Sequence, residues 1–135
     1  MEFARTPVST DSELETTIAS LAREPAGSLI VGADASNIAR REAILRLVAR
    51  YKLRTLSIYR QFAEEGALTS YGPDSEEIFR RSASYIDRFL KGEGPANLPT
   101  QAPTKFEFVI NLKTARSLGL SVPANLLALS DRVIE

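Results

Sequence analysis

The sequence predicts an α/β fold in which a parallel sheet is flanked by helices. Two short apolar runs carry this prediction: SLIVGA at residues 28–33 and TLSIY at residues 55–59. The apolar part of the first run is bounded by Gly27 and Gly32. SLIVGA has the length and composition of a strand buried on both faces, and TLSIY is again short, apolar and β-branched. Amphipathic segments precede and separate these runs, and the connections are only a few residues long. This alternation is typical of right-handed βαβ units.

The first half of the chain supplies the other elements of this pattern. A strand is predicted at residues 2–8, EFARTPV, and a helix at residues 9–22. Thr10 and Glu13 have the spacing of a capping box at the start of that helix. A second helix is predicted over residues 36–52, between the two apolar runs.

The pattern changes after residue 59. A short amphipathic piece ends in a turn at Gly66, and an extended run, ALTSY, follows at residues 67–71. Asp74 and Glu77 then have cap spacing at the start of a helix over residues 75–91. The apolar stripe of that helix consists of Ile78, Phe79, Ala83, Ile86, Phe89 and Leu90.

The last third of the chain begins with a proline-rich connector at residues 92–104. In the strand KFEFVINL, residues 105–112, the alternation predicts that Phe106, Phe108 and Ile110 face one way and the residues between them the other. A short helix then stops at Gly119. A final helix is predicted to begin near Pro123.

Composition excludes several classes of function. The 135 residues suit one domain, and 17 Lys and Arg balance 17 Asp and Glu, so no overall field attracts nucleic acid. The absence of His and Cys removes thiol nucleophiles, serine–histidine triads and ordinary zinc sites. We therefore predict that the protein is not an enzyme, that it has no catalytic residue, metal or cofactor, and that a small neutral or zwitterionic ligand suits it better than nucleic acid.

Candidate binding residues lie where the predicted strands end, because open α/β sheets bind ligands at that edge. Asp34 and Ala35 follow the first apolar run, although Asp34 or Ser36 has an equally simple role as a helix cap. Only one glycine of a dinucleotide fingerprint is present, so a nucleotide cofactor is not predicted.

Two further pairs of candidates follow the same logic. Ser57 and Tyr59 end the second run, where an aromatic ring beside a hydroxyl can hold an amphipathic ligand or merely shield the sheet. Ser70 and Tyr71 precede Gly72, which would allow a backbone to approach a ligand closely. Turn formation alone also accounts for that glycine.

The C-terminal sequence carries a family resemblance. The succession ALTSYGPD, FRRSASYIDRFLKGEGPANLPTQAPTKFEFVINLKTARSLGL and VPANLLALSDRVIE resembles the C-terminal part of ABC transporter substrate-binding proteins of the tryptophan/tyrosine type. The resemblance implies a type I periplasmic-binding-protein fold, in which two Rossmann-like lobes close on a small solute. It also implies that the solute is an amino acid or similar molecule, passed to an ABC permease during import.

The resemblance further implies how the chain is divided. Residues 1–66 and 100–135 would belong to the C-terminal lobe, and residues 67–99 would form the crossover and a helix of the first lobe. The ligand contacts would fall on Asp34, Ala35, Ser57, Tyr59, Ser70 and Tyr71. The family implies a periplasmic location, while the first residues show no signal peptide, which leaves the cytoplasm as the alternative.

Members of this family are longer than this chain, and the missing part would include the sheet that the helix at residues 75–91 covers. We expect its apolar stripe to be exposed and some sheet edges to be unpaired. A soluble protein with such a surface is expected to self-associate, so the sequence predicts a homodimer. The alternative function is a dimeric α/β interaction domain that no longer binds solute.

Overall fold

The structure, a computed structural model, describes residues 4–135 and contains one five-stranded sheet with helices packed on it. The strands are β1 (Ser28–Val31), β2 (Arg54–Ser57), β3 (Thr69–Pro73), β4 (Phe106–Asn111) and β5 (Arg132–Ile134). They lie side by side in chain order. β1, β2 and β3 are parallel, β4 runs antiparallel to β3, and β5 is parallel to β4. The predicted α/β class, with a mostly parallel sheet flanked by helices, is confirmed.

The first helix precedes β1, and the other helices occupy the connections between strands, as βαβ units require. They are α1 (Asp11–Arg23), α2 (Ala35–Ala39), α3 (Arg41–Arg50), α4 (Arg60–Glu65), α5 (Ser75–Leu90), α6 (Leu112–Ser117) and α7 (Ala124–Ala128). A single 3₁₀ turn at Pro95–Asn97 lies in the proline-rich connector. None of the helices described over residues 4–135 is long and apolar enough to cross a membrane.

The helix α1 begins with the capping box that the sequence predicted. The Thr10 hydroxyl accepts a hydrogen bond from the Glu13 N–H at 3.2 Å, and the Glu13 carboxylate accepts one from the Thr10 N–H at 3.1 Å. The backbone N–H groups of Ser9 and Thr10 hold the pKa of Glu13 below its usual value. Leu14 and Ile18 face the core from this helix.

The strand predicted at residues 2–8 is wrong for the part that can be tested. Residues 4–8 have no regular secondary structure, and residues 1–3 lie outside the described residues. Pro7 has no N–H to donate to a sheet ladder. The segment is instead tied down by Arg40, whose guanidinium donates to the carbonyl oxygens of Val8 and Ser9.

The predicted helix over residues 36–52 is divided in two at Arg40. Arg40 has φ −98° and ψ 13°, which places it at the end of α2 and at the start of α3. Its N–H bonds back to the carbonyl oxygen of Ser36, so the first helix closes before the second begins. The longer helix α3 supplies the core residues Ile44, Leu45, Leu47 and Val48.

The two faces of the sheet differ in what covers them. The helix face, which carries Val31, Ser57, Ser70 and Val109 in register, packs against α1, α3 and α4 around a core with Ile18 and Phe62. The outer face carries Ile30, Leu56, Thr69, Ile110 and Val133 in register.

The outer face is only partly covered, which corrects the expectation for SLIVGA. Ile110 is buried, but Ile30 and Val133 are exposed. The strand β1 lies at the edge of the sheet, with one neighbour among the described strands. It is therefore buried on one face and not on both.

The helix α5 projects from the sheet and buries none of its side chains. Asp74 caps it by accepting hydrogen bonds from the N–H groups of Glu76 and Glu77. It also contacts the proline-rich connector, where the Tyr85 hydroxyl donates to the carbonyl oxygen of Pro99 at 2.6 Å, and α4, where Glu76 pairs with Arg60. The predicted helix and its cap are confirmed.

The C-terminal region contains the two helices that the sequence predicted and one strand that it did not. The helix α6 is followed by Gly119 at φ 68°, and α7 follows Pro123. The strand β5 was not predicted. With three residues it is too short to show an alternating pattern, and it exists because Val109 pairs with Arg132 across the sheet.

Candidate functional site

The six predicted contact residues lie at the edge of the sheet that the ends of the strands form, and not along the outer strand β1. β1, β2 and β3 end there, and the antiparallel β4 begins there, with Phe106 opposite Pro73. The β3 strand extends past the end of β2, because Ser57 at the end of β2 pairs with Ser70. This edge contains the carboxyl ends of the parallel strands β1, β2 and β3, which is where open α/β folds bind ligands.

Asp34 and Ala35 follow the end of β1 and are exposed. Asp34 is the cap of α2, and its carboxylate accepts a hydrogen bond from the Ser36 N–H at 2.7 Å. Hydrogen bonds from Ser36, side chain first and backbone second, hold the pKa of Asp34 below its usual value. Asp34 is therefore an anion at neutral pH, with one carboxylate oxygen committed to the cap.

Ser57 and Tyr59 both make contacts within the described part of the chain. Ser57 is fully buried on the helix face, and its hydroxyl accepts a hydrogen bond from the Tyr59 N–H at 3.1 Å. The Tyr59 ring is half-buried and stacks on Phe62, with 6.3 Å between the ring centroids. The Tyr59 ring therefore packs against the core, and its role as a ligand contact stays a prediction.

Ser70 and Tyr71 are neighbours in sequence but point to opposite faces, as alternation in a strand requires. Ser70 is 1% exposed, and its hydroxyl has no hydrogen-bond partner among residues 4–135. Tyr71 is 54% exposed on the outer face. At this edge the Tyr71 ring is therefore in contact with solvent, and the Ser70 hydroxyl is buried without a partner among the described residues.

Gly72 is required by a contact inside the protein. A Cβ atom at this position would lie 1.9 Å from the carbonyl oxygen of Ile58. The backbone that approaches Gly72 is therefore that of the segment following β2. The sequence identified the need for glycine but could not identify the neighbour.

An ion-pair network at the same edge was missed by sequence reasoning. The Arg60 guanidinium lies 3.4 Å from the carboxylates of Glu64, Glu76 and Glu107, and Arg132 bonds Glu64 at 2.7 Å. Burial opposes the charge on Arg60, but Glu107 and the other two carboxylates outweigh it, so the pKa of Arg60 is raised. The network ties α4, α5, β4 and β5 together. Only Glu64, one helical turn from Arg60, could have been paired with it from the sequence.

A cavity of about 500 Å³ lies away from this edge, between α5 and the proline-rich connector. Apolar side chains such as Ile78, Ile86 and Leu98 line much of it. The guanidinium of Arg81 borders the cavity and is hydrogen-bonded to Gln101. The described residues contain no group of three or more His, Cys, Asp or Glu that could hold a metal ion.

The apolar stripe of α5 is exposed, as expected from the sequence. Phe79 is 75% exposed and Leu90 is 77% exposed, and Ile86 and Phe89 are also more than half exposed. These side chains lie on the side of α5 that carries the periodic apolar positions. The chain therefore presents a helix face with the composition of an interior surface.

Three solved structures share this fold at low sequence identity. A conserved domain protein from Vibrio cholerae O1 biovar El Tor has a TM-score of 0.80 and 22% identity over 91% of this chain. An ABC domain in complex with L-Trp from Streptococcus pneumoniae has a TM-score of 0.82 and 23% identity over 94%. A ligand-free, open substrate-binding protein with adhesive properties from Clostridium difficile has a TM-score of 0.64 and 19% identity over 95%.

The matched part is less than half of each of those structures. The chain spans 41% of the V. cholerae protein, 44% of the S. pneumoniae protein and 42% of the C. difficile protein. A search of curated proteins finds no match. The model of one protein family, described as ABC transporter substrate binding protein, matches residues 3–134. Since that match includes nearly every residue, the chain belongs to the family of ABC transporter substrate-binding proteins.

Proposed function

We propose that this chain is a solute-binding component of an ABC-type importer and that it binds a small amino-acid-like ligand without catalysis. The observation that carries the proposal is the family match over residues 3–134. The partners are the solute and an ABC permease. Members of this family are typically periplasmic or extracellular, and we place the protein there.

The ligand class is proposed from two observations. The S. pneumoniae structure with the same fold holds L-Trp. In this chain, the exposed ring of Tyr71 lies at the edge where the parallel strands end. An amino acid with an apolar side chain suits such an edge, because a ring packs against the side chain while polar groups bind its ends.

The six predicted contacts take different parts in this proposal. Asp34, Ala35 and Tyr71 are accessible, and we assign the direct contacts to them. Ser57, Tyr59 and Ser70 lie behind them, where they shape the edge. We further propose that residues 1–66 and 100–135 form the C-terminal lobe and that residues 67–99 form the crossover with a helix that belongs to the first lobe.

The test uses a property of the composition. The chain contains no Trp, so with excitation at the red edge of indole absorption any tryptophan emission comes from the ligand. We expect the fluorescence anisotropy of L-tryptophan to rise and saturate as protein is added. Calorimetric titration of a panel of aromatic and branched amino acids then ranks the solutes. The absence of a response from every member of the panel would remove the solute-binding proposal for this chain.

The second candidate is a dimeric interaction domain that does not bind solute, and the exposed stripe of α5 favours it. The exposed apolar surface of the stripe is roughly 500 Å², if each large side chain has about 200 Å² and is exposed to the fraction given above. This area comes from Phe79, Ile86, Phe89 and Leu90. Two copies that cover each other's stripe would bury roughly 1,000 Å², which is the lower limit for a specific interface. We propose a second copy of the chain as the occupant.

Sedimentation equilibrium tests the dimer. Phe79→Glu together with Leu90→Glu is expected to give a monomer, because both charges would be buried in the interface. The control is Arg80→Glu, which changes a charge on α5 outside the stripe and is expected to leave the dimer intact. A parent chain that sediments as a stable monomer would contradict the proposal directly.

A further inference from the structure

Three aromatic rings meet on the outer face at the edge of the sheet. The Tyr71 ring stacks on Phe106, with centroids 5.7 Å apart and an interplanar angle of 19°. The Phe108 ring meets Tyr71 edge-on, with centroids 6.3 Å apart and an angle of 74°. We name Tyr71, Phe106 and Phe108 the aromatic corner, because Phe106 stacks on the Tyr71 ring and Phe108 meets that ring edge-on.

The aromatic corner is held in place by paired backbone. Tyr71 pairs with Phe108 across the β3–β4 ladder, and Phe106 pairs with Pro73. One residue beyond, the Asp74 N–H donates to the carbonyl oxygen of Lys105 at 3.0 Å, and the Lys105 ammonium bonds the Asp74 carboxylate at 2.7 Å. A rigid aromatic surface loses little conformational entropy when a ligand binds to it.

The corner remains accessible although its rings pack on each other. Tyr71 is 54% exposed and Phe106 is 45% exposed, so each keeps part of its ring in solvent. Cross-strand packing alone would stabilise the sheet at this point. The exposed parts of the two stacked rings are not used by this packing and can therefore contact a ligand.

The charges beside the corner are paired with each other. Lys105 pairs with Asp74, and Glu107, which points to the helix face, pairs with Arg60. No unpaired charge on these flanking side chains is therefore available to attract an ionic group to the rings. The chemistry that suits the corner is a flat, uncharged ring, which stacks on the exposed part of Tyr71 or Phe106.

We propose that the aromatic corner determines solute specificity by stacking on a planar aromatic group of the ligand, with Phe106 as a contact beyond the six predicted from the sequence. This inference rests on the proposed solute-binding function. Tyr71 supplies the central ring and a polar tip. Phe108 is a positioning residue that fixes the orientation of Tyr71.

The experiment replaces rings by aliphatic side chains of similar bulk. Tyr71→Leu and Phe106→Leu are each compared with the parent chain for L-tryptophan, measured by its own fluorescence, and for L-leucine, measured by calorimetry. We expect the affinity for tryptophan to fall about fivefold and that for leucine to change less than twofold, from the usual contribution of aromatic pairs. Tyr71→Phe keeps the ring and is expected to keep most of the tryptophan affinity.

Phe79→Leu is the matched control, because it removes an exposed ring from α5 and is expected to leave both affinities unchanged. Unchanged tryptophan affinity in both corner variants would overturn the inference while leaving solute binding intact. An equal loss for both amino acids would also overturn it, since a purely structural role has that result. If the parent chain binds no solute, the proposed function fails and the inference fails with it. Thermal unfolding of each variant identifies any that does not fold. If Tyr71→Leu does not fold, Phe106→Leu provides the test.

Discussion

Replacement of Gly72 by alanine tests how β3 is packed at the edge of the sheet. The added Cβ would lie 1.9 Å from the carbonyl oxygen of Ile58 and 2.8 Å from its carbonyl carbon. Atoms this close must move apart, and both neighbours are backbone atoms that cannot rotate away. To bring the first distance from 1.9 Å to even 3.0 Å requires a shift of about 1.1 Å.

The shift has few directions in which to occur. Gly72 is paired with Glu107 of β4 on one side, and the Ile58 segment is held by the hydrogen bond from its N–H to the carbonyl oxygen of Val31. Overpacking in well-packed regions costs typically 1–3 kcal/mol. Because rigid backbone is displaced here, we expect Gly72→Ala to lower the free energy of unfolding by about 3 kcal/mol, and the melting temperature by about 10 °C.

Urea denaturation followed by circular dichroism measures this change, and the chain offers a matched control. A Cβ at Gly32 would meet no atom within 4 Å, and Gly32 does not have positive φ. Gly32→Ala is therefore expected to be neutral or to stabilise by about 0.4–1 kcal/mol, since alanine restricts the unfolded chain. If Gly72→Ala were as stable as Gly32→Ala, the close approach to Ile58 would be refuted as the reason for glycine at position 72.

Three further predictions concern caps and buried polar groups. Thr10→Ala removes the hydroxyl that accepts from the Glu13 N–H and is expected to lower the free energy of unfolding by about 1 kcal/mol in urea denaturation. Asn111→Ala removes a buried amide that donates to the carbonyl oxygen of Ala63 at 2.8 Å and caps α6. A loss of about 2–3 kcal/mol is expected in the same assay, and a loss below 0.5 kcal/mol would contradict the contact. Hydrogen bonding with Lys105 lowers the pKa of Asp74, so the stability that Asp74 contributes is present above pH 4 and lost as pH falls through its folded pKa. Asp74→Asn is expected to flatten that acid dependence in pH-dependent thermal unfolding, and an unchanged pH profile would contradict it.

Local patterns in the sequence predicted most of the helices and strands. The capping box at Thr10, the cap at Asp74 and the stop at Gly119 depend on neighbours within a few residues, and all three are present. The alternation in β4 also depends on local order, and its faces are those predicted. The division at Arg40 was not predictable, because it coincides with hydrogen bonds to Val8 and Ser9, more than 30 residues away.

The binding role of the six candidate residues stays a prediction, but the structure shows where they lie in the sheet. The strand ends were located correctly, and Tyr71 is exposed there. Strand order and the antiparallel return of β4 bring Phe106 and Phe108 beside Tyr71, at separations of more than 30 residues along the chain. No local pattern could indicate that contact, and the same is true of the Arg60 network.

The sequence alone determined the class of fold, the lack of His and Cys chemistry, the helix caps and the family resemblance, since each depends on composition or on residues close in the chain. Tertiary structure alone decided that Ser70 is buried while Tyr71 faces solvent, that β1 lies at an edge, and which backbone meets Gly72. The physical reason is that burial and contact depend on which distant segments pair. A pattern of period two or 3.6 shows that a residue has an apolar side, but not what lies against it.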